Sequence, residues 1–414
     1  MPSRTIISSL HQKEFQLDAL LQITKAINAN IKRDQLYSIF QNILVAQMKV
    51  VRLALFSDDN GWQCVLKYGF RGKIIDLDLE KDLFPVREVT EISPDGESWR
   101  KLFNFIVPVY HKKKPVAYLL IGDINSDPEE LMTNDLPFIQ TLTNIIAVAI
   151  ENKKLAKENI RQEGIRKELE LAARMQSMLF PDASSLPHNE KIDIAVYYQP
   201  HYQVGGDYYD YIPISEEEVI FCMADVSGKG VTAALLMSNF QANLRAISDY
   251  TSSLKEIVLN LNRKVFQSAQ GEMFITFFVA KYNIPKREFS YINAGHPPPV
   301  LLPDGQSGEN GKESFEWLKV GCMGLGMLHE IPQVNETTLR ITPGSTVICY
   351  TDGVIELENN SQQPYGIDRL VTLLVKNRTL SIDVMISKIS RELEIFKGRQ
   401  PYLDDIALLS CRFN

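Results

Sequence analysis

The 414-residue sequence lacks any uninterrupted apolar run that approaches the roughly 18 residues needed to span a bilayer. Its opening residues, Met1 to Arg4, lack the apolar core and the small-residue cleavage site of a signal peptide. An excess of positive charge is missing too, since the formal net charge is -7, which argues against a broad basic surface for nucleic acid. We therefore expect a cytoplasmic protein that neither spans a membrane nor binds nucleic acid.

Cysteine and histidine are sparse and dispersed. The five cysteines include no C-x-x-C pair and stand at positions 64, 222, 322, 349 and 411. This pattern favours buried free thiols in a reducing compartment, with a redox-sensing role for Cys64 as the alternative. The six histidines show no metal-ligand spacing, so the sequence does not predict a zinc site.

The remaining composition is that of a globular protein, with 45% hydrophobic and 23% charged residues in a chain long enough for about two to three domains. From about Leu10 to Val50, apolar residues recur at intervals of three and four, which predicts helices. Short alternating strands follow. Two of them, Phe103–Tyr110 and Val116–Ile121, flank a polar segment, which predicts a hairpin.

A long helix is predicted to begin at Asn134-Asp135 and to continue without a stop signal until Pro181. Its part from Glu151 to Ser177 is densely charged. A narrow apolar stripe of coiled-coil type runs along it: Leu155, Ile165, Leu169, Ala172, Met175 and Leu179. The segment is either a solvated spacer or a helix that dimerises and carries a signal. We favour the second interpretation, because the stripe is too thin for the core of a monomer and suits pairing with a second copy.

From Lys191 onward, short apolar runs of buried-strand type are grouped around three helical stretches, Gly230–Ile247, Ser253–Ser268 and Ile382–Phe396. Grouped rather than strictly alternating strands and helices predict an α+β fold with packed sheets and outer helices. Residues Asp304–Glu313 are predicted to form a mobile loop.

Four aspartates in this second half stand where a buried strand meets a turn: Asp207, Asp225, Asp352 and Asp404. A carboxylate beside an apolar strand is costly in the core but tolerated at a strand end, where water or a cation can reach it. If these strands lie side by side, the carboxylates meet and raise one another's pKa. A divalent cation resolves that repulsion, and ligation by oxygen alone selects Mg²⁺ or Mn²⁺.

Each motif is weak by itself. Asp352-Gly353 is a common turn, Asp225 could cap the following helix, and Asp404 could simply open a strand. Residues Ser227–Gly230 precede a helix but lack the P-loop spacing, which excludes a nucleotide triphosphatase of that class, although their flexible backbone suits approach to a metal or phosphate. His296 is either a general acid or a structural residue that locks the proline turn after it.

Taken together and in order, the motifs resemble the SpoIIE/RsbU-type phosphatases, bacterial members of the metal-dependent type 2C serine/threonine protein phosphatases. The segments that carry the resemblance are Ala172–Pro181, Val204–Asp210, Met223–Met237, Ile292–Pro299, Tyr350–Val354 and Asp404–Ile406. The resemblance covers the chain from about Glu168 onward. It implies a β-sandwich flanked by helices, with a two-metal centre at one end.

By position, the resemblance implies that Asp225 bridges two divalent cations, Mn²⁺ or Mg²⁺. Asp207 and the backbone carbonyl of Val226 would complete the shell of one ion. Asp352 and Asp404 would complete the shell of the other. Asp405 is the reserve choice for Asp404.

The reaction implied by the resemblance is hydrolysis by a metal-activated water, without a covalent enzyme intermediate. The sequence departs from the larger type 2C group in one respect, because no arginine precedes the first acidic motif to hold the substrate phosphate. Lys229 is the candidate for that role.

The first zone resembles a GAF domain, a sensory and dimerising module, through its paired strands and the segment Ala149–Leu155 that ends its last helix. No ligand motif is visible, so the GAF ligand stays open. The predicted organisation is a GAF-like α/β sensor at 1–150, a helical coiled-coil linker at 151–181 and a phosphatase domain at 190–414.

The predicted function is that of a homodimeric sensor phosphatase. It would remove phosphate from a serine or threonine of a partner protein, by resemblance an anti-sigma-factor antagonist. The alternative is a catalytically silent docking module of the same fold. The absence of one of the four predicted metal-binding aspartates would indicate such a module.

Overall fold

The computed structural model describes residues 2–58, 61–74, 76–111, 113–124, 131–182, 185–201, 204–304 and 315–414. The chain divides into two compact units, Met1–Gly164 and Ile165–Asn414. The loop predicted at 304–313 falls, beyond Asp304, outside the described residues. None of the helices in the described part of the chain has the length and apolarity of a membrane span.

The first unit is built on an antiparallel sheet of strand order β2-β1-β5-β4-β3. Its elements are α1 (Pro2–Asn28), α2 (Arg33–Asn42), β1 (Val50–Asp58), β2 (Trp62–Tyr68), β3 (Thr90–Glu91), β4 (Phe105–His111) and β5 (Lys114–Ile124). Strands β4 and β5 pair from Phe105↔Ile121 to His111↔Lys114, so the predicted hairpin is confirmed. Of its turn, residue 112 lies outside the described part.

Each face of this sheet has its own apolar core. Side chains such as Phe40 of α2 and Leu53 of β1 pack in one cluster with helical residues, because the apolar residues of the helices recur on one face. The other face carries a second cluster around Trp99 and Tyr118. Among the cysteines, Cys64 is exposed on β2, and partial desolvation of its thiol raises the pKa, which disfavours the reactive thiolate.

Helix α3 (Leu136–Ser177) begins just after the predicted start signal and ends before Pro181, so the predicted long helix is confirmed. Gly164 lies inside it without breaking it. Several apolar side chains of the helix are exposed, among them Leu155, Ile160 and Ile165. The described part of the chain leaves these apolar side chains exposed to solvent.

The second unit contains the remaining strands and helices. Its strands are β6 (Ile192–Gln199), β7 (Tyr208–Pro213), β8 (Glu218–Val226), β9 (Ile275–Asn283), β10 (Glu288–Ala294), β11 (Val300–Leu302), β12 (Glu316–Trp317), β13 (Gly321–Cys322), β14 (Thr337–Arg340), β15 (Thr346–Tyr350) and β16 (Ile406–Phe413). Its helices are α4 (Val231–Ser248), α5 (Leu254–Ala269), α6 (Asp352–Ile355), α7 (Ile367–Asn377) and α8 (Ile382–Lys397).

These strands form two sheets that pack face to face. One has the order β13-β10-β9-β8-β7, with β14 also paired to β10, and the other has the order β12-β11-β15-β16-β6. Phe221 of β8 and Leu409 of β16 meet in the core between the sheets. Helices α4 and α5 cover the outer face of the first sheet, and α7 and α8 cover that of the second. The predicted β-sandwich flanked by helices is confirmed.

Strand β8 shows why this region reads as a continuous apolar run. Phe221 and Met223 face the second sheet, whereas Cys222 and Ala224 face the helices. Because successive side chains point to opposite faces and both faces are covered, almost every residue of the strand is buried. Asp225, at its end, is the first residue that leaves this apolar environment.

Candidate active site

The register of the first sheet brings two of the predicted acids together. Asp207 immediately precedes β7, whose first residue, Tyr208, pairs with Ala224 of β8. Asp225 follows Ala224 directly. The two aspartates therefore lie side by side at the same end of neighbouring strands, although the sequence separates them by a whole hairpin.

The second sheet brings the other two acids to its own strand ends. Tyr350, the last residue of β15, pairs with Leu408 near the start of β16. Asp352 follows β15 by two residues, and Asp404 precedes β16. Asp225 interacts electrostatically with both of them, so the four predicted acids share one site at one end of the sandwich.

Burial and mutual repulsion raise the pKa values of these carboxyl groups. Burial is the main cause at Asp207, whose pKa lies well above its ordinary value, and Asp225 adds to it. For Asp225, burial followed by the charge of Asp352 raises the pKa to about 7. Burial and Asp404 likewise raise the pKa of Asp352. A site with these values attracts protons or cations.

Asp405 holds the loop that carries Asp207. Its Oδ1 accepts a hydrogen bond from the His201 backbone N–H at 2.7 Å, and its Oδ2 accepts one from Gly206 at 2.8 Å. A Cβ atom at Gly205 would lie 2.2 Å from Oδ2 of Asp405, so only glycine fits there. Both oxygens of the Asp405 carboxylate are therefore engaged with the backbone of this loop.

Lys229, the candidate for the substrate phosphate, lies among the acids. Its Nζ is 2.6 Å from Oδ2 of Asp404 and donates a hydrogen bond to the Leu403 carbonyl at 2.7 Å. Its positive charge also lowers the pKa of Asp352, against the larger effects that raise it. In this arrangement, Lys229 acts as the counter-ion of a predicted metal ligand.

His296 fits the structural interpretation. Its backbone N–H donates to Oδ1 of Asn293 at 2.8 Å, and its Nδ1 lies 2.9 Å from the Thr276 hydroxyl. Burial lowers the pKa of His296 to about 3. The imidazole is therefore neutral near pH 7, where a general acid would need to be protonated.

Two functional contacts were missed by reasoning from the sequence. The side chain of Gln176, in α3, donates to the Gly205 carbonyl at 2.7 Å and accepts from the Gly205 N–H at 3.0 Å. Asp210, the second acid of the Val204–Asp210 motif, is fully buried and receives both Nε and Nη2 of Arg245, at 2.9 Å and 2.8 Å. Apart from membership of the quoted motif segments, neither Gln176 nor Asp210 carries a local signal of its role.

The donor set fits a divalent cation, although within the described residues no three carboxylate, histidine or cysteine side chains close on a common point. Oδ2 of Asp207 is buried and makes no hydrogen bond with the described residues. A Cβ at Gly206 would lie 3.1 Å from the Val226 carbonyl oxygen, so glycine lets the Asp207 loop approach that carbonyl. An unsatisfied carboxylate oxygen, a nearby carbonyl and several acids of raised pKa are the oxygen ligands that Mg²⁺ and Mn²⁺ prefer.

Comparison with known families gives a match within the second unit. Residues 215–414 match the family model described as Stage II sporulation protein E (SpoIIE). The chain is similar to phosphoserine phosphatase RsbU of Bacillus subtilis, with 31% identity over 195 residues, or 47% of this chain and 55% of RsbU. It is also similar to protein IcfG of Synechocystis, with 26% identity over 347 residues, or 77% of this chain and 53% of IcfG. The chain thus spans about half the length of these curated relatives.

Among solved structures, the SiaA-PP2C domain of Pseudomonas aeruginosa has a TM-score of 0.51 and 19% sequence identity, and the match covers 61% of this chain and 99% of that domain. At this identity, the likeness concerns the fold alone. The second unit therefore has a fold similar to that of the SiaA-PP2C domain.

Proposed function

We propose that this chain is a metal-dependent protein phosphatase that removes phosphate from a serine or threonine of a partner protein. The proposal rests on one observation: four aspartates lie together at one end of the sandwich, namely Asp207, Asp225, Asp352 and Asp404. The pKa values of the first three lie above the ordinary value of an aspartate. Perturbed carboxyl groups gathered at strand ends are typical of catalytic sites. All four acids are present, which disfavours the silent docking module.

The chain offers ligands for two divalent cations, Mn²⁺ or Mg²⁺. Asp225 would lie between the two ions, Asp207 and the Val226 carbonyl would bind one, and Asp352 and Asp404 would bind the other. When bound, such ions lower the pKa of a water, so that hydroxide exists near neutral pH, and neutralise phosphoryl charge.

The protein's own groups would position this chemistry. Asp405 and Gln176 hold the loop before β7, so that Asp207 is presented to the site. Lys229 is the proposed phosphate ligand, because an ion at Asp404 would replace the lysine as counter-ion and leave its ammonium group for the substrate.

The substrate proposal draws on the relatives. RsbU is named a phosphoserine phosphatase, and we propose that the substrate here is likewise a phosphorylated protein, an anti-sigma-factor antagonist in a partner-switching circuit. The first unit, a GAF-like sensor of unknown ligand, would control the reaction through helix α3 in a cytoplasmic homodimer.

The test is hydrolysis of a phosphoserine peptide and of p-nitrophenyl phosphate by the full chain with Mn²⁺. We expect Asp225→Asn to lower kcat/KM at least about 100-fold, or about 2.7 kcal/mol of transition-state stabilisation. Calorimetric titration should show weaker Mn²⁺ binding as well. Asp249→Asn, at the exposed end of α4, is the matched control and should leave both readouts unchanged. Binding of the phosphopeptide without metal-dependent turnover by the parent protein would instead support the docking module.

A further inference from the structure

A cleft of about 570 Å³ opens directly beside the acids of the proposed active site. Asp225 and Asp352 are part of its lining. Apart from these acids, its lining is largely apolar, with contributions from Pro298, Trp317 and Ile367. The chemistry of phosphate hydrolysis does not need such a surface.

One wall of the cleft is held rigidly. The side-chain amide of Asn293 donates to the His296 carbonyl and to the Leu318 carbonyl, at 3.1 Å each. The first bond fixes the turn that leads to Pro297 and Pro298. The second fixes the segment that carries Trp317 and Lys319 on either side of Leu318. The apolar surface is thus formed before any ligand arrives.

The opposite wall is tied to the acids themselves. Ile355 ends the short helix α6, whose first residue is Asp352, and Ile367 begins α7. Both isoleucines are only partly buried, and both line the cleft. A side chain bound there would lie one helical turn from Asp352.

A cation stands at the rim. The Nζ of Lys319 lies 5.7 Å from the centre of the Trp317 ring, close enough for a cation–π interaction that holds the ammonium group over the cleft. The Trp317 ring is itself supported edge-on by Phe315, at 5.5 Å between ring centres. Lys319 is the cation among the described residues that line the cleft.

We propose that this cleft binds the substrate polypeptide next to its phosphorylated residue. It takes a bulky apolar side chain within about two positions of that residue, and Lys319 favours an acidic residue nearby. The proposal rests on the proposed function. An extended chain advances about 3.3 Å per residue, so a peptide whose phosphate lies at Asp225 and Asp352 must lay its neighbouring side chains along this surface. Continuity with the acids, the largely apolar lining and the charge of Lys319 favour a peptide over a small phosphate ester.

The test compares two phosphoserine peptides that differ only in the residues directly before and after phosphoserine, which are leucine in one and alanine in the other. Because burial of a large apolar side chain stabilises a complex by about 1.5 to 3 kcal/mol, we expect the parent to prefer the leucine peptide in kcat/KM by about 10-fold to 100-fold. Trp317→Ala and Ile367→Ala should each bring this ratio towards one. The ratio is internal to each variant, so a general loss of activity does not change it.

Tyr250→Ala, which removes an aromatic ring that is 92% exposed, is the matched control and should keep both the ratio and the turnover of p-nitrophenyl phosphate.

Lys319→Ala should remove a preference for glutamate over glutamine two residues from phosphoserine. Equal kcat/KM for both peptides in the parent, or an unchanged ratio in Trp317→Ala and Ile367→Ala, would overturn the proposal. If the parent hydrolyses neither peptide nor p-nitrophenyl phosphate, the proposed function fails. Fluorescence anisotropy of the same two peptides then tests the cleft by itself: tighter binding of the leucine peptide would support the proposal, and equal binding would overturn it.

Discussion

The raised pKa of Asp225 makes the stability of the metal-free protein depend on pH. An unfolded aspartate titrates near about 3.9, whereas burial and Asp352 raise the pKa of Asp225 in the folded protein to about 7. The folded state therefore binds this proton more tightly than the unfolded state. Its contribution to stability is fully present below pH about 4 and is lost as the pH rises through about 7.

We predict that, in the presence of a chelator, Asp225→Asn becomes progressively more stable than the parent as the pH rises from about 4 to about 7, and that the difference then levels off. The reason is that asparagine carries no charge to repel Asp207 and Asp352. Urea unfolding at each pH measures the difference in the free energy of unfolding. Buried His296, whose lowered pKa acts in the opposite sense, is common to both proteins and cancels from the difference. A difference that stays constant over this range would contradict the prediction, and saturating Mn²⁺ should reverse its sign.

At the scale of elements, the segment before β7 is positioned by long-range hydrogen bonds and not by a regular ladder. Gln176 of α3 binds both polar groups of Gly205, and Asp405, next to β16, binds the backbone of His201 and Gly206. The predicted ligand Asp207 thus takes its place from two elements far away in the sequence. A change in α3 should therefore reach the site without touching any acid.

We predict that Gln176→Leu weakens Mn²⁺ binding about tenfold or more, because two buried hydrogen bonds that hold the Asp207 loop are lost at about 0.5 to 1.5 kcal/mol each. Titration calorimetry measures the binding, and saturating Mn²⁺ should restore most of kcat. A purely structural role would lower stability and leave Mn²⁺ affinity intact. Ser177→Ala, at the neighbouring exposed position, is the control and should change neither quantity.

At the scale of the whole molecule, α3 belongs to both compact units, since it begins at Leu136 and ends at Ser177. The predicted seam residues Leu155 and Ile165 are 47% and 48% exposed in the single chain. Exposed apolar residues at heptad spacing on a long charged helix favour pairing with a second copy. The dimer and its role in signalling remain predictions.

We predict that the full chain is a dimer at micromolar concentration and that the double substitution Leu155→Glu with Ile165→Glu makes it a monomer, because paired carboxylates would face each other across the seam. Light scattering coupled to size-exclusion chromatography measures the mass. Ala156→Glu adds the same kind of charge beside the seam on an exposed position and should leave the dimer intact. A monomeric parent with an intact helix would remove the basis for proposing that the first unit controls the reaction through α3.

Local features of the sequence were enough to predict packed sheets with outer helices, the long helix and the four aspartates at strand ends, whereas the β-sandwich itself was implied by the family resemblance. An apolar run indicates a strand that is buried on both faces, and a stretch without proline indicates an uninterrupted helix. An aspartate after an apolar run indicates the end of a strand. Each of these signals arises within a few residues, so it can be read without knowing which strands pair.

The hydrogen-bond and ion-pair partners of the polar groups were decided only by the tertiary structure. The resemblance ranked Asp405 behind Asp404, and the residues alone left the role of His296 open. The hydrogen-bond partners of Asp405 and His296, such as His201 and Thr276, lie far along the chain. Lys229 stays the predicted phosphate ligand, and only the fold shows that it also pairs with Asp404. Sheet register brings such partners together, and register depends on the packing of whole strands, which no local pattern of residues contains.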